Sequence, residues 1–205
     1  MAPFIEIHKF AMLLLLLLST PAGAGIVVNY DFEDATGLFT AVPGFVLSPL
    51  SADAWSDQDN TLTSFSGVSG RAAAAKNWQD GNAFIFSITI PATHSLGLNR
   101  FDFDEKASAT GPGNWQLDIA GIRMASATTS TSFQHQGGTL APTTLTGTIP
   151  IHLRANGATS SSGTWRVDNF SLQGQLSSVP LPAAWVLLFS ALLLLGRQPR
   201  RRPSH

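Results

Sequence analysis

The stretch that decides the fold is Ala83-Phe84-Ile85-Phe86-Ser87-Ile88-Thr89-Ile90, followed at once by Pro91. The larger apolar side chains in it occupy every second position: Phe84, Phe86, Ile88 and Ile90. Alternate side chains of an extended chain point to opposite faces, so these residues share one face. Proline has no N–H to donate to a neighbouring strand and therefore ends the run. The stretch predicts a β-strand with one face packed against a core.

Similar alternation extends through the middle of the chain on both sides of this strand. Further strands are predicted over residues 26–34, 45–47, 98–106, 114–124, 148–153 and 163–172. Residues 71–76 contain four alanines and are predicted to form a small-residue strand rather than a short helical turn. Residues 51–60 are polar and are expected to form a surface loop. About eight to ten strands separated by turn signals predict an all-β domain, a two-sheet antiparallel sandwich like a jelly roll.

The last predicted strand contains a break in its alternation. Trp165 and Val167 share one phase, whereas Phe170 and Leu172 share the other. A strict period of two cannot bury both pairs against one core. The sequence therefore predicts a β-bulge, or a change of buried face, at Asp168-Asn169.

Composition excludes several classes of function. Of the 205 residues only 12% are charged, and the net charge at pH 7 is −1, which gives nucleic acid no electrostatic reason to bind. The chain has no cysteine, which excludes disulfides, thiolate metal sites and a cysteine nucleophile.

The beginning of the chain has the features of an export signal. Lys9 provides a positive charge, residues 10–18 are apolar, and Ala22-Gly23-Ala24 has the small residues that signal peptidase requires. Residues 1–24 are therefore predicted to be a signal peptide, with cleavage between Ala24 and Gly25. The folded domain is expected over residues 25–177.

Residues 178–205 combine three features in a fixed order. A proline-containing motif comes first, an uncharged apolar run over about 183–196 follows, and arginines close the segment over 197–202. The motif is Val179-Pro180-Leu181-Pro182-Ala183-Ala184, and the arginines are Arg197, Arg200, Arg201 and Arg202. The run is long enough for a short transmembrane helix, and arginines favour the cytoplasmic side. We expect the preceding domain to be held outside the inner membrane until the segment is processed.

This segment resembles the PEP-CTERM sorting signal of Gram-negative bacteria. Its motif looks like the VPLPAA variant, with Leu181 where the name-giving motif has glutamate. The resemblance implies recognition by exosortase, a membrane protease-transpeptidase, in bacteria that make exopolysaccharide. The alternative is a plain C-terminal anchor that is never processed.

The body of the chain resembles the jelly-roll ectodomains found upstream of such signals. These are themselves similar to carbohydrate-binding modules and concanavalin-like sandwiches. The stretches that carry the resemblance are Tyr30-Asp31-Phe32-Glu33, Asn114-Trp115-Gln116-Leu117 and Gly163-Thr164-Trp165-Arg166-Val167-Asp168-Asn169.

Acidic side chains offer two alternative sets of calcium ligands, because Ca²⁺ prefers carboxylate and carbonyl oxygens. In the first set, Asp31 and Glu33, with Asp34, would meet Asp168, since the terminal strands of a jelly roll commonly lie side by side. The second set is the loop that contains Asp53, Asp57, Asp59 and Asn60. The first set is preferred, as one structural calcium site.

Four tryptophans lie in the predicted domain. Trp115 and Trp165 are in phase with apolar neighbours and are predicted to be core residues. Trp55 and Trp78 have small or polar neighbours and are expected to be exposed, where their rings could stack on sugars.

No catalytic constellation is evident. The histidines of the domain are scattered: His94, His135, which resembles a solvated loop residue, and His152, on an outward strand face. Asp102, Asp104, Glu105 and Asp118 could supply a glycosidase pair, but strand alternation alone places such residues on a wet face. We therefore expect no enzyme but an exported surface or extracellular-matrix protein, associated with exopolysaccharide. The alternatives are a carbohydrate-binding module and a secreted glycan hydrolase.

Overall fold

A computed structural model describes residues 24–33 and 41–179. Most of the predicted signal peptide, Asp34 and the sorting segment from Pro180 onward lie outside these residues. The strands are β1 (Gly25–Tyr30), β2 (Phe45–Val46), β3 (Ser51–Ala52), β4 (Ser56–Asp57), β5 (Thr63–Ser66), β6 (Arg71–Ala75), β7 (Asn82–Ile90), β8 (His94–Ala107), β9 (Asn114–Ile119), β10 (Ile122–Thr128), β11 (Gln134–Leu145), β12 (Gly147–Asn156) and β13 (Trp165–Ser178).

Two antiparallel sheets account for all of these strands, which confirms the predicted all-β, two-sheet sandwich. Sheet 1 has the order β11-β8-β13-β1-β2, and β6 and β5 extend it beside β13. Sheet 2 has the order β10-β9-β12-β7-β3, with β4 also paired to β7. No helix occurs among the described residues. The two termini of the domain are neighbours, because β1 pairs with β13 from Gly25↔Gly174 to Tyr30↔Phe170.

The core between the sheets is a continuous aromatic cluster. Trp55 lies at its centre, with ring centroids 5.2 Å from Tyr30, 5.3 Å from Phe86 and 5.0 Å from Phe170. Phe84 stacks on Trp165 at 5.6 Å. This contact connects the rings around Trp55 to the pair formed by Trp165 and Trp78. Offset and edge-to-face contacts of this kind stabilise a core beyond the burial of their area. The predicted core role of Trp115 and Trp165 is confirmed, since they are 4% and 0% exposed.

The expected exposure of Trp55 and Trp78 is wrong, because both side chains are completely buried. Trp78 packs edge-on against Trp165 at 5.3 Å, and its indole N–H donates to the carbonyl of Ala75 at 2.7 Å. Neither ring can stack on a bound sugar. The small alanines of β6, at 0–2% exposure, leave room for these large rings.

The expected surface loop over residues 51–60 is also incorrect. It contains β3 and β4, and an isolated bridge joins Trp55 to Ala41. Asp57 is buried and accepts hydrogen bonds from the backbone N–H groups of Thr61 and Leu62 at 3.0 and 2.7 Å. These bonds fold the following turn, so the Asp57 carboxylate has a structural role.

The predicted strand over residues 114–124 is in fact a hairpin. The first strand ends at Ile119, and the chain reverses through Ala120 and Gly121, whose φ angles are 53° and 78°. Two successive positive φ angles are the signature of a type I′ turn, whose twist matches that of a hairpin. The returning strand is β10, the edge of sheet 2.

The predicted bulge in the last strand is confirmed. Asp168 lies opposite Asp104 of β8, but Ser171 lies opposite Asp102, so β13 carries one extra residue between the two pairs. Asn169 adopts a φ of 50°, which asparagine tolerates better than most residues. The bulge buries Trp165 and Val167 on one side of the break and Phe170 and Leu172 on the other.

Candidate functional site

The outer face of sheet 2 carries a ladder of polar side chains across β10, β9 and β12. Three cross-strand rows form it, and we call them the polar ladder: Arg123–Asp118–His152, Ser126–Gln116–Arg154 and Thr128–Asn114–Asn156. With strands about 4.8 Å apart and rows about 7 Å apart, the ladder covers about 10 by 14 Å. A depression of about 460 Å³ is lined by seven of these nine residues, all except Asp118 and His152.

A β-bulge brings the side chains of the edge strand onto this face. The register between β10 and β9 shifts between Arg123 and Ala125. Because of the extra residue, Arg123 and Ser126 both face outward although they are three positions apart. Met124 and Ala125 pack against the core instead. Bulges commonly re-aim side chains in this way beside binding sites.

Asp118 lies in the middle of the ladder and holds its neighbours in place. Its Oδ2 accepts a hydrogen bond from Arg154 Nε at 3.0 Å and one from Gln116 Nε2 at 3.3 Å. The side chain of Asp118 is 16% exposed and that of Arg154 is 39% exposed. A half-exposed ion pair contributes little stability, on the order of 0–1 kcal/mol. Its main effect is to orient the guanidinium plane over the sheet.

His152 completes the orientation of this arginine. Arg154 Nη2 lies 2.7 Å from His152 Nδ1. Because a guanidinium can only donate, Nδ1 must be the acceptor, which places the ring proton of neutral His152 on Nε2. Burial lowers the pKa of His152, and the charge of Arg154 lowers it further. The imidazole is therefore an uncharged acceptor at neutral pH.

The ladder presents amide, hydroxyl and guanidinium groups in one plane. Asn and Gln amides both donate and accept hydrogen bonds, and Ser and Thr hydroxyls do the same. Such a set can pair with the hydroxyl groups of an extended polyhydroxylated ligand. No member of the ladder is positioned as a nucleophile with its own base, since His152 Nδ1 is occupied by Arg154.

The outer face of sheet 1 is a closed network of charges. Asp102 accepts from Arg100 Nε and Nη2 at 2.8 and 2.7 Å, and these bonds hold the pKa of its carboxyl below the ordinary value. His135 lies in β11 rather than in the expected loop, between Asp104 at 3.2 Å and Asp102 at 3.4 Å. These side chains form hydrogen bonds and ion pairs with one another, so few of their donors and acceptors are free to bind a ligand.

A second depression, of about 370 Å³, lies at the other end of sheet 1. Asn99, Thr143 and Gln175 contribute to its lining, which contains no charged side chain. It provides a comparison surface for the polar ladder, similar in size but formed on the other sheet.

Glu105 lies inside the sandwich and not on the expected wet face. It is completely buried and accepts hydrogen bonds from Trp165 Nε1 at 2.9 Å and from the backbone N–H of Ser130 at 2.8 Å. Burial raises the pKa of Glu105. Asp102 and Asp104 face outward from sheet 1, whereas Asp118 faces outward from sheet 2. The four carboxylates proposed for a glycosidase pair therefore do not face one another across a cleft.

Asp168, the central residue of the preferred calcium set, is completely buried at the bulge of β13. Its two oxygens accept from the backbone N–H groups of Val68 and Asn169 at 2.8 and 2.9 Å. Burial raises the pKa of Asp168 to about 6, and the nearby charges of Asp104 and Glu33 contribute to this shift.

The structure brings Glu33 close to Asp168, whereas Asp31 approaches another turn. A Cβ on Gly70 would lie 1.8 Å from Glu33 Oε2, and one on Gly67 would lie 2.3 Å from Asp168 Oδ2. Both carboxylates thus reach the turn between β5 and β6, while Asp31 lies against Gly44. Among residues 24–33 and 41–179, no three His, Cys, Asp or Glu side chains are grouped to hold a metal ion.

The sorting motif contributes only Val179 to the described part of the chain, where its backbone N–H donates to Thr93 at 2.8 Å. Pro180, Leu181, Pro182, Ala183, Ala184, Arg197, Arg200, Arg201 and Arg202 lie outside it, as does Ala22 of the signal cleavage site. Ala24 and Gly25 mark the beginning of the described domain. Within the described residues, no helix has the length and apolar character needed to cross a membrane.

Comparison with known proteins finds similar solved structures but assigns the chain to no family. No protein-family model and no curated protein sequence matches it. Carbohydrate-binding modules are prominent among the similar solved structures. TmCBM61 in complex with β-1,4-galactotriose is 14% identical, covering 71% of this chain and 94% of its own, with a TM-score of 0.43. The CBM22-1 xylan-binding domain of Xyn10C from Paenibacillus barcinonensis is 10% identical, with coverages of 76% and 97% and a TM-score of 0.46.

A third similar structure is the carbohydrate-binding module CBM36 in complex with calcium and xylotriose. It is 17% identical, covers 58% of this chain and 98% of its own, and has a TM-score of 0.36. At these levels of similarity none of the three structures assigns a ligand or a metal to this chain.

Proposed function

We propose that this domain is a non-catalytic polysaccharide-binding module and that the polar ladder on sheet 2 is its binding face. The observation that carries the proposal is the depression of about 460 Å³, which is lined by seven of the nine hydrogen-bonding residues of the three cross-strand rows. The rows lie on paired strands, so their spacing is fixed by the sheet, and rigid elements hold a binding site better than loops do.

The residues of the ladder favour a polysaccharide over an apolar ligand. Asn114, Gln116 and Asn156 contribute both donors and acceptors, as the ring and hydroxyl oxygens of a sugar chain require. The depression is open to solvent, which suits a polymer that lies along a surface. A deep apolar pocket would favour a small drug-like molecule instead.

We further propose that the chain is exported and displayed at the cell surface or in the extracellular matrix. The predicted signal peptide and the PEP-CTERM-like segment support this, with signal peptidase and exosortase as processing partners. An exopolysaccharide would then be the ligand present where the domain is displayed. The secreted-hydrolase alternative has no supporting constellation among the described carboxylates.

A structural calcium ion is the third part of the proposal. Glu33 and Asp168 approach the same turn, and carboxylate oxygens are the ligands that Ca²⁺ prefers. Bound there, the cation would neutralise charge beside the buried Asp168. Asp31, the third carboxylate of the predicted set, lies against Gly44 instead.

A polysaccharide pull-down with matched variants tests the binding face. Gln116→Ala with Asn156→Ala removes two amides from the ladder, whereas Asn99→Ala with Gln175→Ala removes two amides from the depression on sheet 1. We expect the first variant to lose retention by at least tenfold and the second to bind like the wild type. Equal losses, or a loss only in the second variant, would reject the ladder as the site.

The sorting proposal is tested by fractionation of cells that carry exosortase. Replacing Pro180 and Pro182 by alanine should leave membrane insertion intact but block processing. Replacing Arg197, Arg200, Arg201 and Arg202 by serine should instead disturb orientation, because arginines resist translocation. Identical behaviour of the two variants would mean that the segment is an anchor only.

A further inference from the structure

We propose that the polysaccharide bound by the polar ladder is anionic and carries carboxylate groups. This inference rests on the proposed function and adds the chemical class of the ligand. It starts from the two arginines, Arg123 and Arg154, that line the depression.

Arg123 is fully available to a ligand. It is an exposed residue of the edge strand, and none of the ion pairs or side-chain hydrogen bonds among the described residues involves it. Its position two residues after the turn of the hairpin is fixed by pairing with Asp118. A long cationic side chain therefore stands at the edge of the depression with all five N–H groups unused.

Arg154 uses some of its N–H donors within the ladder and keeps others free. Its Nε donates to Asp118 and its Nη2 lies against His152, which leaves Nη1 without a partner among the described groups. Arg123 and Arg154 lie on the two strands that flank β9 and in neighbouring rows, so their backbones are about 12 Å apart on the diagonal. An anionic group above β9 could be approached by both guanidinium groups.

The charge of this face differs from that of the rest of the domain. Among the described residues there are seven lysines and arginines against eleven aspartates and glutamates, a formal net charge of −4. The ladder itself has two arginines and a single carboxylate, Asp118, whose Oδ2 already accepts two hydrogen bonds. A positively charged depression on an acidic domain attracts anionic ligands, while the rest of the domain surface repels them.

Two of the three arginines of sheet 1 are engaged elsewhere. Arg100 forms two hydrogen bonds with Asp102, and Arg166 lies over the ring of Phe65 at 4.6 Å and donates to Ser66. In the ladder, by contrast, two guanidinium groups with unused donors line the same depression as three amide side chains. Guanidinium binds carboxylate through two parallel hydrogen bonds, which gives such a pair geometric specificity.

The test compares polyuronates with the same polymers after reduction of their carboxyl groups. The full chain is used as it is recovered from expressing cells, and retention is measured in a pull-down at low and high salt. We expect binding of at least one polyuronate, a loss of about tenfold or more on reduction, and weakening by salt.

Variants separate the charge effect from general loss of binding. Arg123→Gln should weaken polyuronate binding about tenfold but leave the reduced polymer unaffected. Asp118→Asn removes the one negative charge of the ladder but keeps an amide oxygen to accept from Arg154 Nε, and it should strengthen polyuronate binding several-fold. Arg71→Gln, an exposed arginine on sheet 1, is the matched control. Thermal unfolding of each variant verifies that the domain still folds.

The outcomes distinguish this inference from the proposed function. If reduced and unreduced polymers bind equally and Arg123→Gln has no effect, while Gln116→Ala with Asn156→Ala abolishes binding, the ladder binds a neutral polysaccharide and this inference is overturned. If no polysaccharide is retained by any form of the chain, the proposed function fails and this inference fails with it.

Discussion

Gly70 shows at the scale of one residue how the domain accommodates its acidic groups. Its φ of 61° lies in the left-handed region, and Glu33 Oε2 occupies the space that a Cβ would fill. The positive φ requires glycine, and a Cβ would in addition displace the Glu33 carboxylate from this turn. We expect Gly70→Ala to lower the free energy of unfolding by about 1–2 kcal/mol in urea denaturation. Gly113, where an added Cβ would have no neighbour within 4 Å, is the control, and Gly113→Ala should change stability by less than about 0.5 kcal/mol. Equal effects would contradict this view of the turn.

Asp168 should make stability depend on pH in an unusual direction. Its folded pKa of about 6 lies above the ordinary 3.8, so folding favours the protonated carboxyl. The stability that protonation provides is complete below about pH 4 and is lost as pH rises through 6. From pH 4 to 7 the wild type should lose on the order of 2–3 kcal/mol relative to Asp168→Asn, which has no such titration. If the free energy of unfolding changes with pH in the same way in both proteins, the pKa of Asp168 is not raised.

Calcium should act on the same group, if the proposed cation is bound there. A ligand that binds only the folded state raises its melting temperature by mass action. Added Ca²⁺ should therefore raise the melting temperature at pH 7, where Asp168 is ionised, and much less at pH 4. Chelation should reverse the effect, and Asp168→Ala should abolish it. A melting temperature that responds to neither treatment would leave Glu33 and Asp168 without a metal.

At the scale of elements, the β9–β10 hairpin decides whether the ladder exists. Its turn places Ala120 at a φ of 53°, a conformation that costs alanine more than asparagine. We expect Ala120→Asn to raise the free energy of unfolding by about 0.5–1 kcal/mol without loss of polysaccharide binding. Gly121→Ala, at a φ of 78°, should lower it by about 1 kcal/mol. Denaturation and pull-down of both variants test the turn. If Ala120→Asn lowers the free energy of unfolding and Gly121→Ala raises it, the turn is not type I′.

The turn of the same hairpin is not predictable from the sequence pattern. The alternation of residues 83–90 predicts β7 well, because burial on one face imposes a period of two on the sequence. Ala120-Gly121 is a poor hairpin signal, since asparagine or aspartate usually precedes the glycine. A single predicted strand over residues 114–124 places Arg123 near its end, and such a strand does not indicate which residues lie opposite Arg123.

Burial of Trp55 and Trp78 was likewise not predictable from adjacent residues. Ala54 and Ser56, or Asn77 and Gln79, say only that the local segment is polar. The partners that bury these rings come from distant strands, among them Phe86 of β7 and Trp165 of β13. The bulge at Asp168-Asn169 was predictable, in contrast, because two apolar pairs out of phase in one strand already require it.

At the scale of the whole molecule, the two sheets have different outer faces. Sheet 1 carries charges that pair with one another, while sheet 2 carries a ladder with unused donors. The sandwich separates these faces by its aromatic core, so substitutions on one face should not disturb the other. This separation is what allows variants of sheet 1 to serve as controls for binding at sheet 2.

The most direct test of the polysaccharide-binding face is an NMR titration of the backbone amides with a soluble oligosaccharide of the retained polymer. Binding at the ladder predicts that the largest chemical-shift changes cluster in β9, β10 and β12, around Gln116, Arg123 and Arg154. The strands β8, β11 and β13 should change little. Changes concentrated on sheet 1, or no saturable change at any concentration of an oligosaccharide whose polymer is retained, would contradict the account.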